Sequence, residues 1–147
     1  MVWLRSIISP PLKPLLFSSV LMHHLKPGGG HTYKDSEARV PIIFVLTSGA
    51  DPTQYLLALG KQHGYETGSN LKMVSLGQGQ EPVAEKALDR MHATGGWVML
   101  QNIELVAGWL PKLEKKLEAL EEGAHPDFRV FLSALPQKCV PVPILQK

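Results

Sequence analysis

A single cysteine, Cys139, stands among the 147 residues, so no internal disulfide framework can form and the usage fits a reducing compartment. No histidine or aspartate pattern goes with that thiol to make it a nucleophile. Charge is scarce as well. Asp, Glu, Lys and Arg make up 19% of the chain, below the usual share of a globular domain. The net charge is only +2, and no Lys/Arg cluster forms a stripe, so a nucleic-acid partner is excluded from the expectation. The six histidines (His23, His24, His31, His63, His92 and His125) show no metal-ligand spacing such as H-E-x-x-H, and no metal is expected. No apolar run is long and unbroken enough to span a bilayer, so no membrane partner is expected either. What remains is a chain that is 44% hydrophobic, sufficient for one globular domain with a real core.

Residues 1–22 (MVWLRSIISPPLKPLLFSSVLM) have the mildly apolar character of a signal peptide. Pro10, Pro11 and Pro14 interrupt the run, Lys13 falls inside it, and His23-His24 follow where a small-residue cleavage site belongs. Residues 1–32 therefore read as a divergent or disordered leader, poorly structured or artificially joined. Its end is the Gly-rich joint of Pro27, Gly28, Gly29 and Gly30. Residues 33–135 read as the organised module, and residues 136–147, with Pro136, Pro141 and Pro143, as a continuation that breaks off. No internal repeat or low-complexity tract is present.

Within the module, apolar strands alternate with amphipathic helices. Residues 40–46 (VPIIFVL) form a continuous apolar run rich in β-branched residues, as a strand buried on both faces requires. Asp51 and Pro52 then make a helix start, with Asp as N-cap and Pro at the first helical position. That helix runs to about His63 and closes at Gly64. Residues 71–76 (LKMVSL) predict a second strand. Pro82 opens a second helix with Val83, Ala87, Leu88 and Met91 on one face, ended by Gly95 and Gly96. Residues 97–100 (WVML) predict a third strand. The helix behind it carries a stripe of Val106, Leu110, Leu113, Leu117 and Leu120, with Pro111 starting a fresh segment or kinking it. Residues 128–133 (FRVFLS) predict the last strand. The class is α/β, a mainly parallel sheet with crossover helices.

In such folds ligands bind at the carboxyl ends of the strands. The first loop, Thr47, Ser48, Gly49, Ala50, Asp51, Pro52 and Thr53, has the position of a P-loop but not its chemistry. The motif G-x-x-x-x-G-K-[ST] is absent, so no Lys reaches terminal phosphates and no following hydroxyl holds magnesium. Gly60-Lys61 lies well inside the helix and is followed by Gln62. Asp51 would repel a phosphate where the helix dipole otherwise attracts one, and is better read as a capping carboxylate. The second loop offers Gly77, Gln78 and Gly79, half of a dinucleotide fingerprint, with Pro82 in place of its third glycine. A tight turn before a Pro-started helix is the plainer reading. The third strand has the apolar character of a Walker-B strand yet ends in Gln101 and Asn102. An amide cannot act as a general base at neutral pH, and Asn102 is a natural N-cap. Trp97 and Trp109 read as core or interface side chains.

Five stretches together carry a resemblance. Residues 41–52 (PIIFVLTSGADP), 74–80 (VSLGQGQ), 97–102 (WVMLQN), 109–118 (WLPKLEKKLE) and 125–133 (HPDFRVFLS) resemble, in order, the sixth AAA+ module of dynein heavy chains. The wording of residues 77–80 and 100–102 resembles the axonemal branch. The resemblance implies a degenerate, P-loop NTPase-like large subdomain in a ring of six modules. It implies that the ring drives minus-end-directed microtubule movement with ATP and Mg bound only in other modules, this one being structural. The implied partners are neighbouring AAA+ modules of the same heavy chain and, through the parent, dynein intermediate and light chains and microtubules. The implied location is the cytoplasm and cytoskeleton, in the axoneme of a cilium or flagellum. The helical lid and the catalytic modules fall outside the chain, which implies a partial gene model or a decayed duplicate. Two other readings compete: a free-standing Rossmann-like nucleotide binder using Gly77 and Gly79, and an adaptor binding through the helix of residues 106–120.

Overall fold

In the computed structural model, which describes residues 16–18, 38, 41–45 and 51–135, alternation of apolar side chains along each strand sets the architecture. Val98 and Leu100 on one side of a strand join one buried cluster, while Trp97 and Met99 on the other side join a second. The next strand divides likewise, with Val130, Leu132 and Ala134 facing one cluster and Phe131 the other. Period-2 alternation with both faces apolar is the pattern of a sheet covered on both sides.

The strands are β1 (Leu16–Ser18), β2 (Ile42–Val45), β3 (Leu71–Ser75), β4 (Trp97–Gln101) and β5 (Arg129–Ala134). They form one sheet in the order β1-β2-β5-β4-β3, and every neighbouring pair is parallel. Helix α1 (Thr53–Gln62) follows β2 and places Leu56 and Leu59 in the cluster of Trp97 and Phe131. Helix α2 (Glu81–Thr94) follows β3, and a 3-10 segment (Ile103–Trp109) leads into α3 (Leu110–Ala119) between β4 and β5. Both α2 and α3 feed the opposite cluster. The result is helix, sheet and helix in three layers.

The four strands expected in the module are all present, and β1 adds an edge strand in a leader where none was expected. The remainder of residues 1–32, the stretch of residues 33–40 apart from Ala38, and the tail of residues 136–147 with Cys139 lie outside the described residues. One detail differs from the sequence expectation, and one open alternative is decided. On α2 the buried residues are Ala84, Ala87, Leu88 and Met91, whereas Val83 is 40% exposed. Spacing at i, i+3, i+4 and i+7 selects the alanine and turns the larger Val83 outward. Pro111 sits in the first turn of α3, so it begins a fresh helix after a break at Val106, whose φ of −125° and ψ of 42° are not helical.

Charged residues tie α2 to α3 on the solvent side of that layer. Lys112 Nζ lies 2.7 Å from Glu85 Oε1, Lys116 Nζ lies 2.6 Å from Asp89 Oδ1, and the Trp109 indole N–H donates to Glu85 at 3.2 Å. The Lys112 ammonium first, then the Trp109 indole, holds the Glu85 carboxyl below the ordinary glutamate range. A carboxyl lowered on folding adds stability above its unfolded pKa, about 4.3 for Glu, and loses it as pH falls through the folded value. Acid titration of Glu85→Gln is therefore expected to show a shallower loss of stability below about pH 4 than the parent. Because the pair faces solvent, the difference at neutral pH is expected to stay within about 1 kcal/mol. Parallel acid limbs in the two proteins would overturn the assignment.

Candidate functional site

The carboxyl ends of β3, β4 and β5 and the start of α1 meet on one rim of the sheet. Pro52, not Asp51, takes the N-cap position of α1; Asp51 stands one residue before it, its carboxylate accepts the Thr53 N–H at 2.8 Å, and the Pro52 carbonyl accepts the Leu56 N–H at 2.9 Å. The expectation of Asp as N-cap and Pro at the first helical position is thus shifted by one residue, and the carboxylate bonds the first helical amide as in an Asx turn. The Thr53 hydroxyl first, and then the backbone N–H, holds the Asp51 carboxyl below its usual range. Thr47, Ser48, Gly49 and Ala50, the rest of the P-loop position, lie outside the described residues. Lys61 is in the last turn of α1, at the opposite end of the helix from this rim.

β4 supplies the centre of the rim. Gln101 Nε2 donates to Thr53 Oγ1 at 2.8 Å, joining the end of β4 to the start of α1. Asn102 Nδ2 donates to Ser75 Oγ at 3.0 Å, joining β4 to the end of β3. The Asn102 backbone N–H reaches Ser133 Oγ on β5 at 3.4 Å. Asn102 is not the side-chain cap that its type predicts. It stands at the N-cap position, just before the 3-10 segment, in a left-handed conformation, φ 59° and ψ 46°, but its side chain makes no capping bond. Asn tolerates that region better than most residues, and the turn aims its amide at β3 instead.

The second loop is a tight turn. Gly77, Gln78 and Gly79 all have positive φ (109°, 51° and 77°), and the Gln80 N–H bonds back to the Gly77 carbonyl at 3.3 Å. Only glycine takes such angles freely, so the two glycines are accounted for by the turn itself. The leucine stripe proposed as an adaptor surface is turned inward: Val106, Leu110, Leu113 and Leu120 are buried in the domain's own core. Trp97 is wholly buried, and Trp109 packs partly against the core while bonding Glu85. Among the described residues no three His, Cys, Asp or Glu side chains group as a metal site, and no helix is long and apolar enough to cross a membrane.

Three rim residues escape the sequence reading. Ser75 and Ser133 carry no motif and are identified only by the partners that the sheet gives them. Glu104 had a signal: it is one carboxylate between apolar Ile103 and Val106, and it is buried, 5% exposed, accepting the Leu135 N–H at 3.3 Å.

A parallel sheet with helices on both faces and a polar rim at its carboxyl edge defines an α/β domain of the P-loop type. Residues 37–147 match the dynein heavy chain region D6 P-loop domain, and the chain belongs to that family. It is 50% identical over 106 residues to Dynein axonemal heavy chain 9 of Homo sapiens, an alignment covering 71% of this chain and 2% of that one. It is 47% identical over 106 residues to the ciliary Dynein beta chain of Tripneustes gratilla, with 71% and 2% covered. It is 45% identical over 121 residues to the flagellar outer arm Dynein beta chain of Chlamydomonas reinhardtii, with 78% and 3% covered. The matched part thus spans only 2 to 3% of the length of these relatives. The resemblance to axonemal-type heavy chains drawn from residues 41–133 is borne out.

Proposed function

We propose that this chain serves as a structural, non-catalytic P-loop module of an axonemal dynein motor, with residues 33–135 as the module. The observation that carries the reading is the amide pair at the end of β4. Hydrolysis of a nucleotide there would need one carboxylate to hold magnesium and another to polarise water. Gln101 and Asn102 offer amides instead, and both are engaged with neighbouring hydroxyls of Thr53 and Ser75. Asp51, just before α1, adds negative charge where phosphates would lie, and Lys61 is at the wrong end of α1 to neutralise them. These residues do not fit Mg-ATP.

In this reading the module packs against neighbouring AAA+ modules of the same heavy chain and passes strain around the ring. ATP and Mg act only in other modules of the parent. Intermediate and light chains and microtubules are engaged through the parent too, in the cytoskeleton of a ciliary or flagellar axoneme. The relatives' names, axonemal, ciliary and flagellar, support that location.

Isothermal titration of the folded 147-residue chain with Mg-ATP tests the reading. No saturable heat is expected up to millimolar nucleotide. A dissociation constant in the micromolar range, about 8 kcal/mol of binding free energy, would overturn it.

A further inference from the structure

We infer that Glu104 is a latch that fixes the direction in which the chain leaves the sheet after β5. The backbone ladder between β4 and β5 pairs Trp97 with Arg129 and continues to Leu100 with Leu132. Beyond that point the contact is carried by one side chain from each partner, Ser133 on β5 and Glu104 in the turn after β4. Ser133 Oγ accepts the Asn102 N–H at 3.4 Å, and Glu104 Oε2 accepts the Leu135 N–H at 3.3 Å. Glu104 and Ser133 are the buried polar or charged residues among those described. A buried carboxyl group must be hydrogen-bonded to be tolerated, and the Leu135 main-chain amide at 3.3 Å is a partner that ties it to the end of β5.

Leu135 is the first residue beyond β5, and it is held from two sides. Its side chain packs against the cluster of Ile42, Phe44 and Trp97, and its amide is held by Glu104, whose neighbours Ile103 and Val106 belong to the opposite cluster. A pull on Leu135 is therefore shared between the β2 ladder at Ala134 and, through Glu104, the turn after β4. The Leu105 N–H to Asn102 carbonyl bond, 3.0 Å, closes that turn, and Asn102 in turn contacts Ser75 on β3. The latch deepens the structural role proposed above by naming one residue through which strain enters the rim. It also stands apart from that role, because Mg-ATP binding would sink the non-catalytic reading and leave the latch untouched.

Residue-resolved hydrogen exchange on the full chain tests it. Glu104→Ala is expected to raise exchange at the Leu135 amide roughly ten- to a hundredfold while the Leu132 amide changes by less than about threefold. Glu104→Gln keeps an acceptor oxygen without the charge, and its rise at Leu135 is expected to be smaller and equally local. Unchanged Leu135 exchange in Glu104→Ala would overturn the latch. So would an equal rise at Leu132 and Leu135, which would make Glu104 a general packing element. Should Glu104→Ala not fold, Glu104→Gln decides alone: a rise confined to Leu135 supports the latch, and no rise or a uniform one overturns it.

Discussion

Trp97→Ala is expected to cost about 3–5 kcal/mol of folding stability, the range for removing a large buried aromatic. A domain of this size has about 5–15 kcal/mol in total, so the loss is a large fraction of its stability. Trp97 opens β4 with no exposed surface. Its ring stacks on Tyr65 at 4.2 Å with planes 16° apart, and meets Phe131 at 5.2 Å and His63 at 6.2 Å. It thus joins the end of α1 and the loop after it to the two central strands. Alanine would leave a cavity between a strand and a helix, where neither wall can close in without breaking the sheet. Urea unfolding followed by far-UV circular dichroism measures the effect. A loss below about 1 kcal/mol would show that the aromatic stack is not what holds α1 to the sheet.

Gly96→Ala is expected to be the next most damaging change, for the opposite reason. A β-carbon at Gly96 would run into the Met91 sulfur and stand 2.7 Å from the Asn70 carbonyl oxygen. Met91 is flexible, but the Asn70 carbonyl is main chain and already accepts the Trp97 N–H at 2.8 Å. The backbone of the β3 approach or of β4 would have to move, an overpacking cost of about 2–3 kcal/mol or more. That corresponds to a melting temperature lower by on the order of 10–20 °C for a domain of this size. Gly95→Ala is the informative comparison. There the obstacle is the His125 ring, which can rotate away, and a φ of 81°. The left-handed backbone alone costs about 1–2 kcal/mol, so Gly95→Ala should melt above Gly96→Ala. The reverse order would mean that His125 is fixed and Asn70 is not.

The elements of this fold are legible in the sequence where one signal dominates. The strands are continuous apolar runs, and Gly64, Gly95 and Pro111 punctuate the helices close to where the structure breaks them. Legibility fails where two residues compete for one role. Val83 is more apolar than Ala84, yet the face of α2 is set by spacing and so takes the alanine. Asn102 is favoured both as a cap and in the left-handed region, and only the position of Ser75 across the sheet decides between them. Leu105 and Glu104 show the same limit in opposite senses, the leucine 62% exposed and the glutamate buried. Hydropathy ranks them the wrong way, because the turn after β4 orients them and β5 supplies the amide that satisfies the carboxylate. The lack of a P-loop lysine and of acids at the two positions that end β4, Gln101 and Asn102, is readable directly. The Gln101–Thr53 contact was not, since it joins two loops far apart in the chain.

The strand order has a consequence for how the domain is assembled. β5 is the last strand among the described residues, yet it lies at the centre, with β2 on one side and β4 on the other. Ile42 pairs with Phe131, most of the domain away along the chain. A ribosome making this polypeptide can form the β3–α2–β4 unit early, but β2 has no inner neighbour until residues 129–134 emerge. Contacts of such long sequence separation close slowly and leave apolar edges open meanwhile. The late step is the insertion of one strand between two waiting ones, and until then β2 and β4 present edges that another nascent chain can occupy.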